Sequence, residues 1–135
     1  MRLLRQGTLP LKLAAACAFA CALVALSSCQ QAELERKAEA MTGGSPRRGA
    51  AAINRYGCGT CHTIPGVPGA TALVGPNLQQ VASRLYLAGV LTNTPDNMVR
   101  WIQRPRDVDP LTAMPNLGVT DEDARDIASY LYTLK

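Results

Sequence analysis

The sequence predicts an all-α domain with long loops over residues 45–135. Three observations carry this. Helix-start signals recur at Ser45-Pro46, at Thr94-Pro95 and at Thr120. Apolar residues behind the last two return at helical spacing. No stretch alternates apolar and polar residues as a half-buried strand would.

The first helix starts with a cap residue, Ser45, followed by a proline where no amide hydrogen bond is needed. It should run to about residue 57. The second follows Thr94 and Pro95, carries Met98, Trp101 and Ile102 on one face, and stops before Pro105. The last is capped by Thr120. Asp121, Glu122 and Asp123 occupy its first turn, where the helix dipole favours anions. Ala124, Ile127, Ala128, Leu131 and Leu134 then form its apolar stripe. Gly66, Pro68, Gly69, Gly75, Pro76, Pro110 and Pro115 mark the loops between.

Two segments precede the domain. Residues 1–28 read as an export signal, with Arg2, Arg5 and Lys12 at its start and an apolar run over 13–26. That run is short for a membrane span, which needs about 20 residues. The competing reading is an uncleaved helix. Residues 29–44 are polar and charged, end in Gly43 and Gly44, and read as a tether, partly helical, without an apolar face to bury. Removing the signal leaves eleven basic against ten acidic side chains, so the mature chain is not broadly cationic and carries no nucleic-acid footprint.

A domain of this size has a small core. The single phenylalanine, Phe19, lies in the signal, so a large apolar body must come from elsewhere. The motif Cys58-Gly59-Thr60-Cys61-His62 names it. It is the C-x-x-C-H signature of covalent haem attachment. Positions i, i+3 and i+4 share one helix face, so two thiols reach the haem vinyl groups and His62 falls beneath the iron. A thioredoxin-like dithiol would want a βαβ context. A zinc site would want two further Cys or His ligands, and His62 is the only histidine.

Three methionines lie beyond the signal. Met41 is in the tether, and Met98 sits at core spacing on a helix. Met114, in the loop Thr112-Ala113-Met114-Pro115, is the candidate sixth ligand to the iron. His/Met ligation raises the reduction potential and closes the metal to substrates.

These residues resemble the class I cytochromes c. The resemblance covers residues 45–135 through Cys58, Cys61 and His62, Gly75-Pro76-Asn77-Leu78, Met114-Pro115 and the final helix. The stretch from Asn93-Thr94-Pro95 through Trp101-Ile102 to Met114-Pro115-Asn116-Leu117-Gly118 is similar to the cytochrome domain fused to subunit II of some bacterial haem–copper oxidases. No copper-binding domain precedes it here, which favours a stand-alone carrier. The resemblance implies a small fold of helices and long loops wrapped round one covalent haem c. It implies that the Pro76 carbonyl accepts a hydrogen bond from His62, and that Gly75 lets backbone approach the porphyrin. It implies that the first and last helices cross through Gly49 and Ile53 against Ile127 and Tyr130. Trp101 either donates its indole N–H to a haem propionate or is an ordinary core residue. Arg84 and Tyr86 either meet a propionate or are solvated surface.

Leu26-Ser27-Ser28-Cys29 resembles the lipobox of bacterial lipoproteins, in which the cysteine receives a diacylglyceryl group and becomes the mature N-terminus. Ordinary cleavage with a free thiol is the competing reading. Taken with the haem motif, the lipoprotein reading places a monohaem electron carrier, as monomer or complex subunit, on the periplasmic side of a membrane. Its partners would be an oxidase or a dehydrogenase. Fifteen tether residues would span at most about 50 Å. A peroxidase would need an open iron and a distal acid–base group, and no second histidine is available.

Overall fold

A computed structural model describes residues 9–135, with side chains from Leu13 onward. Arg2, Arg5 and the side chain of Lys12 lie outside the described residues. The helices are α1 (Leu9–Thr42), α2 (Pro46–Arg55), α3 (Pro95–Gln103), α4 (Pro105–Val108) and α5 (Asp121–Tyr132). Single 3₁₀ turns stand at Cys58–Thr60 and Val81–Ser83. The chain divides into two compact units, the first ending at Glu33 and the second covering Leu34–Lys135.

Within the first unit, Leu13, Phe19, Leu23 and Leu26 are all exposed. By length and composition α1 is apolar enough to cross a membrane, and an export signal near a chain's start meets the same test.

The second unit is built on the pair α2 and α5, with α3 packed on α5. The crossing expected at Gly49 is present. A Cβ at Gly49 would overlap the Asp126 carbonyl oxygen and sit 2.9 Å from Tyr130 Cβ, so only glycine lets the two helices approach this closely. Ala52, Ile53, Ala124, Ile127, Ala128 and Leu131 close the interface and are buried. On α3 the core side chains are Met98, Val99 and Ile102.

Local chemistry sets the helix ends. Thr94 and Thr120 accept hydrogen bonds from the Asn97 and Asp123 amides. Ser45 departs from expectation. Its side chain makes no cap, and its backbone N–H instead donates to Asp126 Oδ1 at 2.6 Å. Arg48 grips the same carboxylate with two donors at 2.7 and 2.8 Å. Asp126 is only 2% exposed, so this fork is what makes its burial tolerable. Gly57, at φ 68°, ends α2 in the left-handed conformation. Arg104 leaves helical geometry at φ −140°, ψ 61° before Pro105, which stops α3 and opens α4.

Two expectations change. A small antiparallel hairpin pairs β1 (Tyr86–Leu87) with β2 (Leu91–Thr92). Three residues, Ala88, Gly89 and Val90, join the strands; Ala88 and Gly89 turn the chain at φ 50° and 76°, and the Val90 amide bonds to the Leu87 carbonyl at 3.0 Å. Strands of two residues are too short to show alternation. The tether also divides, because Ala38 and Thr42 are buried within the second unit. Small side chains, rather than an apolar face, make that contact.

Asn93 joins the hairpin region to α5. Its amide donates to the Val81 and Arg84 carbonyls, and it accepts from the Tyr132 hydroxyl at 2.8 Å. Burial pushes the Tyr132 phenol up to about 12. A raised folded-state pKa stabilises fully below the unfolded value near 10 and is lost as pH rises through the folded value. Stability should therefore fall between about pH 10 and pH 12. Tyr132→Phe should flatten that limb in chemical denaturation across the range. Gly49→Ala should cost about 1–3 kcal/mol by forcing α2 and α5 apart, read from the denaturant midpoint at unchanged slope.

Candidate functional site

One cavity of about 690 Å³ opens in the second unit. It falls within the usual size range of small-molecule sites, about 300–1,000 Å³. Cys58, Cys61, His62, Pro76, Trp101 and Met114 all line it, so the residues singled out from sequence meet around one space. Ile53 from α2, Met98 from α3 and Ile127 and Leu131 from α5 give it aliphatic walls.

The cysteines and the histidine are placed by a tight turn. After Gly57 reverses the chain, Cys58–Thr60 forms one 3₁₀ turn, and the amides of Cys61 and His62 both bond to the Cys58 carbonyl. Cys58 and Cys61 are half-buried, and burial pushes the Cys58 thiol up. The Thr60 hydroxyl donates to the Gly57 carbonyl and closes the turn.

His62 is held from two sides. Its Nδ1 lies 2.8 Å from the Pro76 carbonyl oxygen. A carbonyl can only accept, so the proton sits on Nδ1 and the Nε2 lone pair is left for a metal. Gly75 packs on the ring face. A Cβ there would lie 2.5 Å from Cε1 and 2.7 Å from Nδ1. The expected role of Gly75 therefore shifts: in this structure the group it admits is the imidazole. The Gly75 amide bonds to the Cys61 carbonyl at 2.7 Å, which ties the glycine–proline segment to the cysteine turn.

On the remaining walls, the Met114 amide donates to Thr112 Oγ1 at 3.3 Å, a local turn that shapes the methionine loop. Both residues line the cavity. Met98 also lines it while belonging to the core at 2% exposure. Trp101 is half-buried. Arg84 is half-buried as well, and its guanidinium donates to the carbonyls of Asn77 and Gln79, the segment that follows Pro76.

Ile64 and Val67 are buried at 2% and 6% on either side of the left-handed turn at Gly66. Val74, Tyr86 and Leu117, 81%, 59% and 39% exposed, are large hydrophobic side chains that combine cavity lining with solvent exposure. Tyr56 was not singled out from sequence. It lines the cavity and donates its hydroxyl to Asp123 Oδ2 at 2.8 Å. With Arg55 it holds the Asp123 carboxyl below the usual carboxylate range. No sequence signal marks that pair, since the two residues are 67 apart.

Gly75→Ala should displace the imidazole and break the Nδ1–Pro76 hydrogen bond. The observable is the Nδ1 proton resonance of His62, which should move or exchange rapidly in the variant. An unchanged resonance would remove Gly75 from the cradle.

A family model for cytochrome c matches residues 46–135. Cytochrome c oxidase subunit 2 of Alkalihalophilus pseudofirmus is 28% identical over 105 residues, covering 77% of this chain and 29% of that protein. The chain thus spans less than a third of that relative's length. No solved structure matches.

Proposed function

Because the chain belongs to the cytochrome c family, we propose that it is a single-haem electron carrier held by a lipid on Cys29 at the periplasmic side of a membrane. Family membership itself carries haem c binding and electron transfer. The finer reading assigns residues to the work. Cys58 and Cys61 would hold the haem as thioethers, His62 and Met114 would ligate its iron, and Pro76 orients His62. Trp101 lines the same cavity. The haem supplies a one-electron iron couple.

The observation that carries this reading is the fixed tautomer of His62. The Pro76 carbonyl accepts a hydrogen bond from Nδ1–H, and the lone pair of Nε2 remains for iron. A ring held by Pro76 on one edge and by Gly75 on its face has little freedom to reorient. Small reorganisation between redox states is what a carrier needs. The cavity size and its aliphatic walls fit a flat apolar macrocycle. Val74 and Tyr86 at the cavity suit brief, small-area docking with a redox partner.

The likeness to an oxidase subunit favours a terminal oxidase as the electron acceptor. An alternative within the same chemistry is a permanent haem subunit of such a complex. A membrane anchor at Cys29 rests on the lipobox-like Leu26-Ser27-Ser28-Cys29 at the end of the apolar run. One acyl chain binds a membrane weakly, and more than one binds firmly.

Met114→Ala should open the iron to carbon monoxide and lower the reduction potential, whereas Met98→Ala should mainly destabilise the core. If Met98→Ala alone opens the iron, the ligand assignment passes to Met98. Cys29→Ser should abolish incorporation of labelled fatty acid and release the protein from membranes. Stopped-flow mixing of the reduced protein with a purified oxidase should give rapid oxidation with negligible peroxide turnover. Substantial peroxidase activity with Met114 in place would overturn the carrier.

A further inference from the structure

Asp123 is held in two directions at once. Its amide donates to Thr120 Oγ1 at 3.2 Å, which fixes the start of α5. Its carboxylate meets the end of α2. Oδ2 accepts from the Tyr56 hydroxyl at 2.8 Å, and Oδ1 accepts from the Arg55 guanidinium. That guanidinium also lies 5.3 Å from the centre of the Tyr56 ring, so the three side chains close a cycle.

Each direction leads to a wall of the cavity. Tyr56 lines it and stands two residues before Cys58, with only the left-handed Gly57 between them. On the other side, Thr120 follows Met114 by six residues, and Pro115, Leu117 and Val119 in that stretch line the cavity. The methionine stretch is tied at its near end, where the Thr112 amide bonds to the Asp109 carbonyl at 3.1 Å. Asn116 accepts from the Arg106 amide at 3.4 Å. Thr120 is its far anchor. Asp123 therefore joins the cysteine turn to the place where the Met114 stretch lands on α5.

We propose that Tyr56 and Asp123 form a latch between the haem-attachment turn and the far anchor of the Met114 stretch, and that this latch sets how readily the Met114 sulfur leaves iron. This rests on the Met114 ligation proposed above. With the latch shut, Met114 can depart only by bending a short stretch between two fixed ends. With it open, the start of α5 can part from the end of α2, and the stretch loses its far anchor. The phenol is the working part. Arg55 is 56% exposed, and an ion pair so open to water contributes little. The Tyr56 hydroxyl bonds to an acceptor that is 21% exposed, and a bond to a carboxylate is about twice as strong as a neutral one.

The test uses the full-length, haem-loaded ferric protein and cyanide. Cyanide needs a vacant iron position, so its binding rate at saturation reads the departure of Met114. Tyr56→Phe keeps the ring and removes the hydroxyl, and it should raise that rate at least about fivefold. Asp123→Ala should raise it too, and the double variant should go no faster than the faster single, since both break one bond. Rises that multiply in the double variant overturn the latch. The native protein in urea, at a global stability matched to Tyr56→Phe, should stay near its own rate. If it instead reaches the Tyr56→Phe rate, the effect is general loosening and the latch is overturned. An unchanged rate in Tyr56→Phe, with Met114→Ala binding cyanide freely, overturns the latch and leaves the ligand standing. If Met114→Ala binds cyanide no faster than the native protein, the ligand reading falls and the latch with it.

Discussion

The close crossing of α2 and α5 at Gly49 is the constraint on which the second unit depends. Two helices can approach to backbone contact only where neither carries a Cβ in the way, and Gly49 against the Asp126 carbonyl provides that place. The approach aligns Ile53 with Ile127 in a shared core and brings Arg48 and Ser45 onto the Asp126 carboxylate. A buried carboxylate without partners would be strongly destabilising. Here Asp126 has a fork and an amide, and so it fixes the rotation of one helix on the other. Removing Gly49 would separate the helices and unpair the ion at the same time.

Much of the helix framework was legible because its signals are local. Thr94-Pro95 and Thr120 with its acidic first turn act through neighbouring amides, and the stripe Ala124, Ile127, Ala128 and Leu131 repeats within one helix. Cys58, Cys61 and His62 were legible for the same reason, since a 3₁₀ turn brings together residues already adjacent in sequence. The hairpin at Tyr86–Thr92 was missed because two-residue strands have no period to detect. The burial of Ile64 and Val67 goes with the reversal at Gly66 and not with any spacing of their own. The Asp126 network and the Tyr56–Asp123 bond join residues tens of positions apart, and no local pattern encodes them. Asp126 is one of five charged residues between positions 121 and 126, and only the crossing at Gly49 turns it inward.

The site shows a division of labour between helices and loops. Helices supply the aliphatic walls through Ile53, Met98, Ile127 and Leu131. Loops supply every residue assigned to the iron or to the thioether bonds, namely Cys58, Cys61, His62 and Met114, and also Pro76 and Gly75. Loops ordinarily trade precision for freedom. In this domain they are fixed by backbone hydrogen bonds of their own: Gly75 to Cys61, Leu78 to Thr63, and Met114 to the Thr112 hydroxyl. A proline carbonyl is a suitable anchor for His62, because the ring that fixes φ also limits how far the acceptor can move.

Helix α5 carries the consequence furthest, because its faces do different work. Asp126 and Tyr130, four residues apart, share the face that receives Gly49, and Asp126 with Arg125 also receives Gly44. Ile127 and Leu131, offset by one position, share the face that lines the cavity. The contacts that receive Gly44 and Gly49 and those that line the cavity therefore lie side by side on one helix without overlapping. Motion of Gly44 and Gly49 relative to the cavity then requires α5 itself to move. That movement is opposed by Gly49, by the Arg48 fork and by the Tyr132–Asn93 hydrogen bond together.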